Sequence, residues 1–315
     1  MRSSTQRLAS ILLLAAAAAQ IGAAPTATAQ APAPHYRAYD SAGRPVTLQQ
    51  IVESLAAADV LVLGEKHDDA VTHLIEAELL RRVEETYARP GSKGRQRPLA
   101  LSLEMFERDV QTALDEYLAG LISERHFLLS SRPWKNYETD YRPLVEYARE
   151  RGVPVLASNA PARYVSRVAA NGPDSLRALS PAARGWLPPL PFPSASAAYA
   201  EKFRRVMEAS AHGSGAHGAA YLLEAQTLRD ASMADSIAGF LKRRGGALVL
   251  HVNGAFHSEE RLGVPEQLRH FRPGARVVVV TAVPETNFTN FDAARHARLG
   301  DYVILTDPKA TRPAS

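Results

Sequence analysis

Two short segments of this 315-residue chain share a spacing that can bring imidazoles to one place: Gly64-Glu65-Lys66-His67 and Gly254-Ala255-Phe256-His257. Each follows an apolar run, Val60 to Leu63 in one case and Ala247 to Val252 in the other, so each glycine falls where a strand must turn and each histidine falls in the first turn beyond it. Two further runs end in polar residues: Leu99 to Leu103 ends on Glu104, and Val153 to Ala157 is followed by Ser158 and Asn159. His251 lies on the run Ala247 to Val252 and Asn253 directly follows it. Two imidazoles with Glu65 and Glu104 suit a borderline divalent ion with an open position, as in hydrolytic metal sites. The same residues have a structural use, since Asp68 and Asp69 can cap the next helix and buried histidines are commonly held by hydrogen bonds.

A second group is aromatic. Trp134, Tyr137 and Tyr141 lie among Arg132, Lys135 and Arg142, and a tyrosine phenolate can bind ferric haem iron when a neighbouring arginine favours its ionisation. Their near-helical spacing equally fits packed aromatics. Gln226, Arg229 and Asp230 can hold an anionic substrate or a haem propionate, or can lie on a solvated helix face. His212 and His217 sit in a glycine-rich stretch that can trap metal or haem or be merely exposed, and His73 and His126 read as structural. The chain has neither a Gly-x-Ser-x-Gly elbow nor a phosphate loop, which argues against a serine hydrolase or a nucleotide enzyme.

These residues need a scaffold that gathers strand ends. Continuous apolar runs, with Val277 to Val280 and Tyr302 to Leu305 completing the set, alternate with amphipathic stretches such as Ala70 to Tyr87 and Tyr221 to Leu241. That pattern predicts an α/β fold: a mostly parallel sheet with helices on both faces, plus a helical lid inserted at about residues 160–246. In such sheets ligands bind outside the carboxyl ends of the strands, so Glu65, His67, Glu104, Asn159, His251, Asn253 and His257 should meet in one crevice, with Gln226 lining it.

Composition narrows the function classes. Arg2 and Arg7 precede the apolar run Leu8 to Ile21 and a small-residue site at Ala27-Thr28-Ala29, so residues 1–29 read as a signal peptide cleaved near Ala29, giving a periplasmic or secreted product. Residues 30–35 read as disordered and 36–310 as one domain. No later run predicts a transmembrane span. The formal charge is +4 with arginines dispersed among glutamates, which does not suggest a nucleic-acid binder. The absence of cysteine excludes disulfides, thiolate ligands and a cysteine-linked lipid anchor, so any metal must be held by His, Tyr, Asp or Glu.

The runs Gly64 to Asp69, Ser102 to Asp109, Trp134 to Pro143, Asn159-Ala160-Pro161, Gln226 to Asp230 with Met233-Ala234, and His251 to His257 resemble the ChaN-like haem-binding uptake proteins of the Tiki superfamily across nearly the whole chain. The resemblance implies an exported, iron-regulated protein that binds haem through tyrosine ligands in a homodimer. Tyr137, Tyr141 and Arg229 are its candidate haem-binding residues here. Kinship with Tiki proteases and erythromycin esterases implies the alternative, a divalent-metal-dependent hydrolase with His67, His257, Glu65 and Glu104 at the metal and the two glutamates catalytic. Many members carry a lipid on a cysteine, and this chain departs from them in having none.

Overall fold

Valine and leucine dominate the sheet because their branched side chains pack well on a pleat covered from both sides. The computed structural model describes residues 35–91, 96–211 and 220–310. Eight strands form one sheet: β1 (Tyr36–Asp40), β2 (Pro45–Val46), β3 (Val60–Glu65), β4 (Leu99–Glu107), β5 (Val155–Asn159), β6 (Leu248–Gly254), β7 (Val277–Pro284) and β8 (Tyr302–Thr306). Their order is β2-β1-β8-β7-β3-β6-β4-β5. The six strands from β8 to β5 are parallel, while β1 joins β8 and β2 in antiparallel pairs. The six apolar runs of the sequence are these six parallel strands. The β1–β2 hairpin lay outside that reading.

Strand alternation divides the core into two layers. Leu61, Leu63, Leu101, Leu103, Leu250 and Val252 face the helices Ala70–Val83 and Arg142–Arg151, whereas Val60, Val62, Ala100 and Val249 face Met233, Ile237 and Leu241 of the helix Leu222–Arg243. Helices therefore cover both faces. The described part of the connection between β5 and β6 is mostly helical, apart from the proline-rich stretch 185–196, and its last helix, Leu222–Arg243, belongs to the layer on the sheet. Among the described residues no helix is long and apolar enough to cross a membrane.

The chain leaves β3 for β4 across the place that β6 later fills, and reaches β7 on the other side of β3. Such a reversal opens a crevice at the carboxyl ends of β3 and its neighbours.

Candidate functional site

Because β3 and β6 are parallel neighbours, with Glu65 opposite Gly254, their two Gly-x-x-His turns leave the sheet side by side. His67 folds back so that its Nδ1 lies 2.8 Å from Glu65 Oε1, and its ring passes over Gly254. A Cβ on Gly254 would stand 2.9 Å from His67 Cε1 and Nε2, so only glycine lets the ring lie there. Trp134 supports the ring from the side, with centroids 4.4 Å apart. Burial opposes protonation of His67, but the Glu65 hydrogen bond and the charges of Glu104 and Glu65 outweigh it and raise the imidazole above its ordinary range. No hydrogen bond engages its Nε2 among the described residues.

His257 sits deeper. Its Nδ1 donates to Asp230 Oδ1 at 2.6 Å, and its Nε2 lies 3.3 Å from Glu104 Oε1 and 3.0 Å from the Gln226 amide. Tyr199 donates its hydroxyl to the other oxygen of Asp230, and Glu104 Oε2 accepts the Gly254 N–H at 2.7 Å. Burial disfavours an imidazolium here, yet Glu104 and Asp230 push His257 up to about 10. Burial likewise opposes the Glu104 carboxylate, and His257 brings it down to about 2. The pair is therefore ionic. With both imidazole nitrogens protonated, Gln226 must turn its amide oxygen to the ring.

Glu65 faces the opposite layer of the core from Glu104. Its Oε1 accepts the Tyr141 hydroxyl at 2.5 Å as well as His67, and behind it His73 Nδ1 lies 3.2 Å from Oε2. Glu76 is fully buried, and burial together with nearby Glu65 holds its carboxyl well above the usual range.

The tyrosines and the metal set depart from the sequence expectations. Tyr141 is buried, and burial and the adjacent Glu65 charge raise its phenol far above the ordinary range, so it is a hydrogen-bond donor to Glu65 and not a phenolate. Tyr137 packs against Phe106 and Phe127 and borders a separate groove with Leu128 and Arg142. Arginines near a tyrosine in sequence do not ionise it once its ring is buried. Arg229 is half-buried, outside the crevice lining, and makes no hydrogen bond or ion pair among the described residues. The expected metal set of His67, His257, Glu65 and Glu104 does not converge on one ion: among the described residues the one group of three or more with ligand atoms within 4.8 Å of each other is Glu65, His73 and Glu76. His257 spends both nitrogens on carboxylates.

Asn159 at the end of β5 and His251 and Asn253 on the interior strand β6 are buried and, against the expectation, are not among the residues that line the crevice. Burial lowers His251 to about 4, which keeps it neutral, with Nδ1 on Ser102. Among the described residues His251 Nε2, Asn159 Oδ1 and Asn253 Oδ1 have no hydrogen-bond partner. His212 and His217 lie outside the described residues.

Above these groups opens a cavity of about 580 Å³. Glu65, Lys66, His67, Gln226, His257, Glu259 and Thr281 are its polar lining, while Phe203, Val206 and Met207 of the helix Ala197–Ala211, with Phe256, Val283 and Pro284, are its apolar walls. Lys202 ties that helix to the His257 turn, its Nζ donating to the carbonyls of Phe256 at 2.8 Å and Glu259 at 3.1 Å. Tyr199, Lys202 and Glu76 carried no sequence signal, and Asp230 was expected to bind an anion where it anchors a histidine. The arrangement can do two things chemically. It holds one cationic imidazole as a fixed charge, and it presents one imidazole, backed by a carboxylate, with a nitrogen free to bind a metal centre or a proton.

The solved structure of ChaN of Campylobacter jejuni, described as showing cofacial haem binding, matches this fold with a TM-score of 0.62 at 17% identity, covering 86% of this chain and 97% of that one. An erythromycin esterase, EreC in its open conformation, matches at a TM-score of 0.44 and 14% identity over 88% of this chain and 84% of its own. Among curated proteins, the chloroplastic protein RETICULATA-RELATED 5 of Arabidopsis thaliana is 26% identical over an alignment of 278 positions that covers 80% of this chain. The chain spans 36% of that relative's length. The family model described as haem-binding uptake, Tiki superfamily, ChaN matches residues 51–268, well over half of the chain, and the protein belongs to that family.

Proposed function

We propose that this protein binds haem in the cavity at the carboxyl edge of the sheet, with His67 Nε2 as the axial donor to iron. The observation that carries this reading is that, of the polar groups at the cavity, His67 combines an unengaged ring nitrogen with a side chain 45% exposed, beside apolar walls that suit a porphyrin. Its other nitrogen on buried Glu65 fixes the tautomer and makes the imidazole a better donor, as partners of metal-bound histidines do. Glu104 and Asp230 engage both nitrogens of His257, so His257 would not be the residue that holds the iron. Family membership supports haem as the cargo, and the amino-terminal segment supports an exported protein serving haem or iron uptake.

Haem titration followed at the Soret band tests the assignment. His67→Ala should weaken ferric haem binding by about tenfold or more and alter the spectrum, as loss of an axial ligand does. Tyr137→Phe and Tyr141→Phe should keep the parent spectrum. Loss of haem in Tyr141→Phe with full retention in His67→Ala would overturn the proposal.

A further inference from the structure

The helix that starts after the first Gly-x-x-His turn carries His73 and Glu76 one turn apart, and both side chains lie buried beneath Glu65. His73 Nε2 is 3.2 Å from the His67 carbonyl, which can only accept, so this nitrogen bears the hydrogen. Asn136 holds the same carbonyl at 2.8 Å and Asp140 at 2.6 Å, fixing the surroundings of the ring. In the neutral imidazole the lone pair is then on Nδ1. It faces Glu65 Oε2 at 3.2 Å and Glu76 Oε2 at 3.1 Å.

Three electron-rich groups thus point at one another. Among the described residues Glu65 Oε2 and Glu76 Oε1 are buried with no N–H or hydroxyl partner, while Glu65 Oε1 is already taken by Tyr141 and His67. Burying two carboxyl groups side by side is costly unless a proton or a cation lies between them. The spacing suits a metal: four donors at bonds of about 2.0–2.1 Å around a tetrahedral ion stand roughly 3.3 Å apart. The edges at His73 are 3.2 and 3.1 Å, and ligand atoms of all three residues lie within 4.8 Å of one another.

We propose that Glu65, His73 and Glu76 form a buried site for a borderline divalent cation such as Zn²⁺, held by two carboxylate oxygens and an imidazole Nδ1. Glu65 bridges the two parts of the molecule, with Oε2 on the ion and Oε1 on His67 and Tyr141. The ion is structural in this assignment: it fixes the carboxylate that orients His67. The inference does not rest on the haem reading, since none of its test depends on haem.

The test uses the full chain purified without chelators. Elemental analysis should find about one divalent ion per chain, and chelator-treated protein titrated with Co²⁺ should develop d–d absorption bands with a Kd of about 1 µM or tighter. Glu76→Gln should weaken Co²⁺ binding at least about tenfold, and His67→Ala, which removes none of the three donors, should retain it. Loss of the bands in His67→Ala with retention in Glu76→Gln would overturn the proposal. Should Glu76→Gln fail to fold, the parent decides alone: no purified ion and no Co²⁺ bands would mean that a proton on Glu76 satisfies the cluster.

Discussion

The two Gly-x-x-His turns have the same spacing, follow neighbouring parallel strands and end on the same residue type, yet they produce opposite histidines. His67 has a side chain 45% exposed, with one nitrogen on Glu65 and the other unengaged. His257 has a side chain 7% exposed and is locked between Asp230 and Glu104. Spacing sets where a side chain starts. What packs over it decides what it becomes: the helix Leu222–Arg243 supplies Asp230 and Gln226 to His257, while His67 meets a single carboxylate.

The largest expected consequence is in stability. His257→Ala leaves the Asp230 and Glu104 carboxylates buried without the cation between them, which should cost about 3–5 kcal/mol in urea unfolding. His67→Ala removes a half-exposed partner from Glu65, which keeps the Tyr141 hydroxyl, and should cost less than about 1 kcal/mol. Equal losses in the two variants would erase the distinction drawn between the turns.

Titration sharpens the same contrast. His257 rises from an ordinary 6.5 to about 10, burial notwithstanding, so the folded state favours its protonated form. The stability this provides is complete below about 6.5, where both states are protonated, and is lost as the pH rises toward 10. Thermal midpoints of the parent should therefore decline across that interval by more than those of His257→Gln. A parallel decline in both proteins would place the effect elsewhere.

The scaffold was legible where chemistry and period coincide. Unbroken runs such as Val277 to Val280 can hardly be anything but strands covered on both sides, and helices between them imply a parallel sheet whose carboxyl ends hold the polar residues. The hairpin was not legible, because β2 has two residues and no period. Within the site, the strand-end residues could be named, but not the face each one takes. Glu65 alternates with Leu61 and Leu63 toward one layer of the core, and Glu104 shares the other layer with His251, a difference that register alone decides. The tyrosines misled because their aromatic character suits a core as well as a haem pocket. His73 and Glu76 sat within an amphipathic helix whose apolar period hid them.

The two glycines give the most direct inversion of the comparison. A Cβ at residue 64 would meet Ser258 Oγ at 2.7 Å and the Ala255 Cα at 3.0 Å, and backbone cannot swing aside. Gly64→Ala should therefore cost about 1–3 kcal/mol, the usual range for overpacking. At residue 254 the obstacle is instead the His67 ring, 2.9 Å away, at the end of a half-exposed side chain that can rotate, and the Gly254 φ of −56° suits any residue. Gly254→Ala should cost less than about 1 kcal/mol because the ring yields. In yielding, the ring leaves Glu65, and Nε2 loses its fixed direction. Haem affinity should then fall severalfold, by less than in His67→Ala, while Gly64→Ala protein that remains folded binds haem with less change. If Gly254→Ala unfolds the protein and Gly64→Ala spares it, then His67 is the rigid histidine and His257 the adaptable one.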